Sequence, residues 1–493
     1  MNPPAHLKAE LSGFKFDNSY AKLASALYQK QQPENTKNPS LLLLNHQLAK
    51  TLGLNPEVLE KEGAEFLGGN AVFTTATPIA QAYAGHQFGG FNMLGDGRAI
   101  LLGEHITPEN NRFDIQLKGA GRTVYSRSGD GRAALGPMLR EYVISEAMCA
   151  LGIPTTRSLA VVTTGETVYR DDAYPGAVLT RVASSHIRVG TFQYAATTQN
   201  HEVLAELADY TIHRHFPEIA EAENKYALLL EKVIDLQASL IAKWMHVGFI
   251  HGVMNTDNVS ICGETIDYGP CAFMNSYDPA TVFSSIDSNG RYAFGNQAPI
   301  AHWNLFRFAE TLLPLLQADE VQSIAIAKGL LEKFPAIFLE YWLDGMRKKL
   351  GLFNQEADDL KLVEDLLMYM QKNKADYTNT FKTLGKDAIK AMQIYHDAGF
   401  QSWMRHWEAR LSRQAETAAQ SLALMDQSNP AIIPRNHLVE EALKAAVDHN
   451  NLKPLERLLS AISDPYNARE DYAEFMQAPE PAFDTYYKTF CGT

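Results

Sequence analysis

The pattern of apolar and polar residues changes near the middle of the chain. Between about 71 and 188 the sequence is rich in glycine and in short runs typical of β-strands, whereas from about 201 onward it consists mostly of long amphipathic segments. A β-rich part followed by a helix-rich part predicts an α+β protein with two lobes of different class, rather than alternating βαβ units. No fixed-period repeat or low-complexity tract interrupts this order.

The clearest strand is 113–118, which alternates strictly. Its odd positions are apolar, and its even positions are Asp114, Gln116 and Lys118. Further strands are predicted at 99–104, 159–163, 166–170 and 177–181, the second and third of these being separated by Gly165.

Helices dominate the rest of the prediction. Pro137 can occupy the first position of a helix that runs to Leu151. The second half predicts helices at 201–215, 224–247, 300–316, 320–350, 357–374 and 402–425, with more after Pro434. We therefore predict four regions: a mostly helical N-terminal extension at 1–70, a β-rich lobe at 71–185, a helical lobe at 186–400 and a helical C-terminal extension at 401–493.

Composition narrows the class of protein. Of the 493 residues 46% are hydrophobic, which is enough for a folded core and excludes disorder as the main state. The 44 Lys and Arg against 57 Asp and Glu give a net charge of −13, which argues against a broad nucleic-acid surface. Four cysteines without a C-x-x-C pair exclude a disulfide framework. Because we find neither a signal-peptide pattern nor an apolar run long enough to cross a membrane, we expect a cytoplasmic protein without membrane contact.

The segment from His251 to Asn258 is the first candidate for chemistry. It follows a predicted long helix and ends in Asp257-Asn258, and Asp267-Tyr-Gly begins nine residues after Asn258. This is the layout of a protein-kinase catalytic and metal site, in which an Asn and the Asp of D-F-G hold Mg²⁺ against nucleotide phosphates. Mg²⁺ needs hard oxygen ligands, which Asn258 and Asp267 can supply from adjacent loops.

One position departs from the kinase pattern. Val253 stands where a kinase has its catalytic Asp, and a valine can neither orient nor deprotonate a hydroxyl group. An acid returns four residues later, at Asp257. The alternative interpretation is that Asp257, Asn258 and Asp267 are only turn formers, since Asp and Asn favour turns. Their spacing and the features upstream favour a site.

Three basic residues are candidates for phosphate contacts. Lys118 ends a strand, and Glu141 in the following helix can pair with it, as in the strand-lysine to helix-glutamate pair of kinases. Glu146 is a competing partner, and a solvated lysine is the ordinary alternative. Arg181 and Arg188 flank the predicted junction between the lobes, where their guanidinium groups suit phosphate oxygens, although both can equally be surface charges.

Two glycine-rich segments, 89–98 and 128–132, lie on either side of Lys118. Glycines let backbone N–H groups approach phosphate oxygens closely, although ordinary hairpins use the same residues. The first segment differs from a kinase loop because it contains Asp96 and Arg98, so that charged side chains accompany the backbone donors.

Several long motifs resemble those of the selenoprotein O family. They are Tyr83-Ala-Gly-His-Gln-Phe-Gly-Gly90, Leu94-Gly-Asp-Gly-Arg98, Gln116-Leu-Lys-Gly-Ala-Gly-Arg122, Ser126-Arg-Ser-Gly-Asp-Gly131, His251-Gly-Val-Met-Asn-Thr-Asp-Asn258 and Thr265-Ile-Asp-Tyr-Gly-Pro270. Phe16-Asp-Asn-Ser-Tyr20 and Ile433-Pro-Arg-Asn436 also fit, so the resemblance covers nearly the whole chain.

The resemblance implies a protein-kinase-like fold that transfers AMP from ATP to Ser, Thr or Tyr hydroxyl groups of proteins, with Mg²⁺ or Mn²⁺. It implies an ATP orientation that is flipped relative to kinases, with the α-phosphate facing the acceptor. The nucleotide contacts that it implies are Gly95, Gly97, Arg98, Lys118, Asp130, Gly131, Arg181, Arg188 and Asp267. It further implies Asn258 and Asp267 as metal ligands and Asp257 as the general base.

Cys491, third from the end, matches a cysteine or selenocysteine that family members often carry there. A disulfide between Cys491 and Cys271 is a hypothesis from this resemblance. Two other functions stay open at this point: a true phosphotransferase, and a nucleotide-binding scaffold without catalysis. The sequence does not name the protein substrates or the oligomeric state.

Overall fold

The computed structural model describes residues 11–71 and 73–490. The β-strands of these residues are β1 (Phe16–Asp17), β2 (Tyr28–Lys30), β3 (Ser40–Leu44), β4 (Ile79–Gln81), β5 (Ala84–Gln87), β6 (Gly90–Met93), β7 (Ala99–Ile106), β8 (Arg112–Lys118), β9 (Ala133–Ala134), β10 (Arg157–Tyr169), β11 (Ala173–Ala183), β12 (Phe249–Ile250) and β13 (Ala272–Phe273). The α-helices are α1 (His46–Thr51), α2 (Pro56–Leu67), α3 (Leu135–Ala150), α4 (Val189–Thr197), α5 (His201–His215), α6 (Lys225–His246), α7 (Gln297–Leu316), α8 (Glu320–Leu331), α9 (Phe334–Lys349), α10 (Asp359–Lys372), α11 (Tyr377–Thr383), α12 (Ala398–Leu411), α13 (Ala418–Ser428), α14 (Asn436–His449), α15 (Lys453–Ile462) and α16 (Pro481–Tyr486).

One large antiparallel sheet organises the first part of the chain. Its strand order is β2-β4-β7-β8-β11-β10-β3, with β1 paired to β7 and β9 paired to β11. Three of its strands, β1, β2 and β3, come from residues before 70, where the sequence predicted mostly helix. The helices from α4 onward follow the sheet, and the predicted α+β class is confirmed at this level.

The central strand β8 has two different buried faces. Ile115 and Leu117 pack in an apolar cluster with α1 and α2, as the alternation predicts. The opposite face, Asp114, Gln116 and Lys118, was expected to be polar, and it is also buried, at 1%, 0% and 7% exposure. Helices cover both sides of the sheet, so polar groups on this face must find partners inside the protein.

Several predicted boundaries differ from the structure. The helix predicted at 402–425 is two helices, α12 and α13, with a turn at 412–417 between them. Gly165 does not separate two strands: β10 runs through it, because the register shift between Thr163 and Thr167 forms a bulge that accommodates the positive φ of 68°. The predicted helix at 320–350 is two helices, α8 and α9, since Pro335 is compatible only with the first turn of a new helix.

Two further apolar clusters hold the helices. The larger packs α3 against the sheet on one side and against the helices of the second half on the other, and the smaller lies among α9 to α13. Between α6 and α7 the chain runs through a long stretch with little regular structure, which includes a short 3₁₀ turn at Thr256–Asn258. Among the described helices, none combines the length and apolar character that a bilayer span requires.

Candidate active site

A cavity of about 1060 Å³ lies where β7, β8 and β11, helix α3 and the segment 253–270 meet. Its wall includes nine of the twelve residues that the sequence analysis assigned to nucleotide contacts, metal binding, the general base or the ion pair with Lys118: Gly97, Arg98, Lys118, Glu141, Arg181, Arg188, Asp257, Asn258 and Asp267. This volume suits a ligand of nucleotide size.

Lys118, at the end of β8, pairs with a helix glutamate. Its Nζ lies 2.6 Å from Oε2 of Glu141 in α3. The competing candidate Glu146 lies on another face of that helix and binds Arg157 at 2.6 Å and the amide of Asn45 at 2.7 Å. The lysine is therefore a buried ion-paired group that faces the cavity, not a solvated side chain.

Arg181, on β11 next to β8, belongs to the same ion cluster. Its guanidinium group contacts Oε1 of Glu141 at 2.5 Å and Oδ1 of Asp267 at 2.6 Å. The Nζ of Lys118 lies 3.2 Å from that same Asp267 oxygen. Two cations thus bridge a carboxylate from helix α3 to a carboxylate from the loop, and the side chain of Arg181 is only 2% exposed.

Asp267 is the point where the cations converge. Arg188 NH1 lies 3.6 Å from its second oxygen, Oδ2, and the backbone of Asp267 has the left-handed φ of 65° that few residues other than glycine adopt. Although burial raises the pKa of this carboxyl group, Arg181, Lys118 and Arg188 together hold it well below its usual range. Because the side chain remains 24% exposed to the cavity, a ligand can reach an ionised carboxylate there.

Asp257, in the 3₁₀ turn, has a different environment. Burial raises its pKa to about 6, against the opposing effect of Arg188. The amide of Gln87 donates to its Oδ2 at 3.4 Å, and its Oδ1 has no hydrogen-bond partner among the described residues. A Cβ atom on Gly85 would lie 2.5 Å from that Oδ1, so the absence of a side chain at Gly85 gives the carboxylate its room.

Asn258 and His251 belong to the same loop segment, and their contacts hold it in place. The side-chain nitrogen of Asn258 donates to the carbonyl of Val253 at 3.0 Å, which fixes the orientation of the amide and leaves its oxygen able to accept another contact. His251 is fully buried, stacks on Trp244 and contacts the carbonyl of Ile266 at 2.9 Å. The histidine therefore links the segment that carries Asn258 to the segment that carries Asp267.

The two glycine-rich segments contribute unequally to the cavity wall. Gly97 and Arg98 line the cavity, whereas Gly95, Asp130 and Gly131 do not. Gly95 packs its backbone against the ring of Tyr125, where a Cβ atom would come within 2.3 Å, so it shapes the turn before Gly97. Asp130 forms an ion pair at 2.9 Å with Arg170, which itself lines the cavity.

Comparison with known proteins places the chain in a family. The family model described as "Protein adenylyltransferase SelO" matches residues 10–463. Proteins called "Protein nucleotidyltransferase YdiU" are 60% identical in Bacillus cytotoxicus over 99% of both chains, and 58% identical in Anoxybacillus flavithermus over 98% of this chain and 100% of that protein. A third, from Geobacillus kaustophilus, is 57% identical over 98% of this chain and 100% of its own length. The chain belongs to the SelO family. It is an enzyme of the nucleotidyltransferase class.

Asp96 also lines the cavity of this SelO-family chain, although the sequence analysis noted it only as a charge within the first glycine-rich segment. It is 2% exposed, and its Oδ1 lies 4.0 Å from Arg188. Burial raises its pKa to about 6, while Arg188 and a backbone N–H of Gln81 oppose that rise. Its place inside the motif that ends at Arg98 was the available signal, but the sequence alone did not show that the carboxyl group is buried.

Tyr83 and Asn255 were also missed. The guanidinium group of Arg188 lies 4.5 Å from the centre of the Tyr83 ring, and burial raises the pKa of the Tyr83 hydroxyl beyond its ordinary range, so the phenol stays neutral beneath the arginine. The side-chain oxygen of Asn255 accepts from Tyr292 OH at 2.6 Å and from the backbone N–H of Phe88 at 3.1 Å. Both residues lie within motifs that carried the family resemblance.

The residues present fit a divalent cation held partly by substrate. Within the described part of the chain, no group of three His, Cys, Asp or Glu side chains is arranged to bind a metal by itself. Asn258 and Asp267 offer two oxygen-bearing side chains on one cavity wall, and Mg²⁺ is ordinarily bound by one or two such groups together with phosphates and water.

Cys271, directly after Asp267-Tyr-Gly-Pro, is fully buried, and burial raises the pKa of its thiol to about 12. Cys491, its expected disulfide partner, lies outside the described residues. The disulfide therefore stays a prediction.

Proposed function

We propose that this protein transfers AMP from ATP to Ser, Thr or Tyr hydroxyl groups of other proteins, releases pyrophosphate, and needs Mg²⁺ or Mn²⁺. The proposal combines the family to which the chain belongs with the charges of the cavity. Few cysteines among 493 residues support the reducing cytoplasm as its location.

The observation that carries the proposal is the cluster of buried cations on the cavity wall. Lys118, Arg181 and Arg188 all approach Asp267, and the first two also contact Glu141. Arg98 adds a further cation to the wall. Fixed cations around a phosphate chain bind its oxygens and stabilise the charge that develops on a leaving pyrophosphate.

We assign Asp257 as the group that accepts the proton of the acceptor hydroxyl group. In the transfer, the acceptor oxygen forms a bond to the α-phosphorus of ATP. The bond from the α-phosphorus to the oxygen that bridges the α- and β-phosphates breaks, and pyrophosphate leaves with that electron pair. The proton of the hydroxyl group passes to the Asp257 carboxylate. A carboxyl group whose pKa is about 6 is largely ionised at neutral pH and is a stronger base than an ordinary aspartate.

Asn258 and Asp267 are the residues that would hold the divalent cation. Such an ion supplies Lewis-acid stabilisation of phosphate oxygens. The Asn258 amide is oriented for this by its bond to Val253, and the Asp267 carboxylate is kept ionised by its cationic neighbours.

A protein-kinase-like arrangement of two lobes is part of the proposal. The pair between a strand lysine and a helix glutamate, an Asn in the loop after β12 and an aspartate before Tyr268-Gly269 support it. Val253 in place of the kinase aspartate, and Arg181 bound to both carboxylates of the cluster, favour adenylyl over phosphoryl transfer.

The deciding experiment compares α-labelled and γ-labelled ATP in parallel reactions with an acceptor protein rich in Ser, Thr and Tyr. We expect label on protein only from α-labelled ATP, and an intact-mass increase of one adenylyl group. Label only from γ-labelled ATP would establish a kinase instead, and binding of ATP without transfer of either label would establish a scaffold. Asp387→Asn, at a carboxylate that is 95% exposed, is the matched control for Asp257→Asn.

A further inference from the structure

The hairpin formed by β5 and β6 presents apolar side chains to solvent beside the cavity. Phe88, Phe91 and Met93 are 37%, 45% and 50% exposed, and every residue of β6 is exposed. Phe88 and the neighbouring Gln87 also line the cavity, so the exposed patch is continuous with the site. Large exposed apolar side chains grouped at one place are typical of an interaction surface.

The hairpin is fixed directly to the turn that carries Asp257. The backbone N–H of His86 donates to Thr256 Oγ1 at 2.7 Å, and the backbone N–H of Phe88 donates to Asn255 Oδ1 at 3.1 Å. The side chain of Gln87 reaches Asp257 itself. The hairpin therefore forms the edge of the site directly beside Asp257.

Cations lie next to the same hairpin. The guanidinium group of Arg291 lies 4.8 Å from the ring centre of Trp303, whose other neighbours are His86 at 5.3 Å and Arg307 at 5.1 Å. Arg307 pairs with Glu310 at 2.6 Å. Arg291 has no carboxylate within 4 Å among the described residues, and its Nε has no hydrogen-bond partner there. In a chain of net charge −13, Arg291 thus presents beside the hairpin a guanidinium group that lies against aromatic rings and that no side-chain carboxylate pairs with among the described residues.

We propose that Phe88, Phe91, Met93, Arg291 and Trp303 form an acceptor surface, which binds the segment of the protein substrate that carries the hydroxyl group. The segment that fits has an acidic side chain for Arg291 and an apolar side chain for the hairpin, both close to the acceptor. This inference rests on the proposed function, since it names the class of protein that the same site modifies. Aromatic residues and arginine are the residues that most often dominate such interfaces.

The test uses two synthetic peptides that each contain one Ser, one Thr, one Tyr and one Phe, with two glutamates beside the hydroxyl residues in one peptide and two lysines in the other. Peptide affinity is measured without ATP, and KM and kcat are measured with α-labelled ATP. We expect wild type to prefer the acidic peptide, and Arg291→Glu to raise the KM and Kd of that peptide about tenfold while those of the basic peptide fall. Arg405→Glu, the same charge change at an exposed arginine of α12, leaves both preferences unchanged.

The outcomes separate this inference from the proposed function. Adenylyl transfer that ignores peptide charge in wild type and in Arg291→Glu overturns the acceptor surface and leaves the proposed function standing. Absence of adenylyl transfer to either peptide and to intact proteins overturns both. A loss of ATP affinity in Arg291→Glu, or a dimer of this chain that the substitution dissociates, also overturns the acceptor surface. If Arg291→Glu unfolds, Phe91→Ser replaces it, and is expected to weaken both peptides about threefold.

Discussion

Two buried clusters of arginine and carboxylate in this protein are similar in composition and different in what surrounds them. At the cavity, Asp267 lies 2.6 Å from Arg181 and 3.2 Å from Lys118. Among the C-terminal helices, Asp359 at the start of α10 lies 2.7 Å from Arg347 in α9 and 2.7 Å from Arg410 in α12. In both clusters one carboxylate contacts cations from at least two other elements.

The partners of the arginines distinguish the clusters. Arg410 also donates to the side chain and the backbone carbonyl of Asn354 at 2.9 Å, and Asp359 is fully buried, so that cluster is closed. Asp267 is 24% exposed, and its cations face the cavity. Closed ion clusters hold elements together, whereas one whose cations line an open cavity can bind an anionic ligand there. We therefore expect substitutions in the two clusters to separate activity from stability.

The largest effect is expected for Asp267→Asn. Because the amide removes the charge on which three cations converge and a proposed metal ligand, we expect AMP transfer to fall at least about 10³-fold. The free energy of unfolding should fall by about 1–2 kcal/mol, since the isosteric amide keeps part of the hydrogen bonding. Initial rates and denaturant unfolding measure the two quantities. A loss of stability that matches the loss of activity would make this cluster structural, like the one at Asp359.

Asp257→Asn is expected to reduce kcat by about 10²–10⁴-fold, because a positioned general base contributes that range. ATP affinity should change little, since the Asp257 side chain is not bonded to Lys118 or Arg181. Steady-state kinetics and nucleotide titration check this, with Asp387→Asn as the control. Unchanged kcat would remove Asp257 from the proton transfer and leave the cation cluster as the whole of the site.

Asp359→Ala should give the opposite result from Asp267→Asn. It leaves the buried Arg347 and Arg410 without the carboxylate that they share, although Glu356 remains 3.3 Å from Arg410, and removing one partner of a buried ion pair costs about 3–5 kcal/mol. We expect a correspondingly lower free energy of unfolding, with the kcat of the folded fraction within about twofold of wild type. A specific loss of kcat in folded enzyme would show that the two clusters are coupled.

The smallest effect is expected for a substitution at Lys349. This lysine is buried like the cations of the two clusters, but it has no carboxylate partner among the described residues. Its Nζ lies 4.2 Å from the ring centre of Phe381, and burial lowers its pKa to about 7. Between pH 7 and about 10 the unfolded chain holds a proton here that the folded chain has released, so this lysine makes stability rise with pH. Below pH 7 the full cost of the buried charge is present in the folded state.

We therefore expect Lys349→Met to be more stable than wild type by about 2 kcal/mol near pH 6, and the difference to shrink as the pH approaches 10. Denaturant unfolding of both proteins at pH 6, 8 and 10 gives the difference. A difference that grows with pH would have the wrong sign and would mean that the lysine has an anionic partner.

The cation cluster shows what could be predicted residue by residue. The alternation of 113–118 placed Lys118 at the end of a strand, and the following helix offered Glu141 or Glu146 as its partner. The choice between them depends on which face of α3 points toward β8, which the pairing at 2.6 Å resolves in favour of Glu141. For Arg181 the sequence left a phosphate contact and a surface charge equally open, because the contacts of this residue depend on β11 lying beside β8.

The sequence by itself determined the α+β class, the central strand with its lysine, the loop that carries Asp257 and Asn258, and, through long motifs, the family. These are properties of local pattern and spacing, which a linear chain records directly. Only the tertiary structure decided that the polar face of β8 is buried and that Asp96 and Tyr83 contact Arg188. It also decided that three cations meet at Asp267. The reason is that burial and charge neutralisation depend on which distant segments pack together, and the same aspartate or arginine is a solvated group or an ionised site residue according to those neighbours.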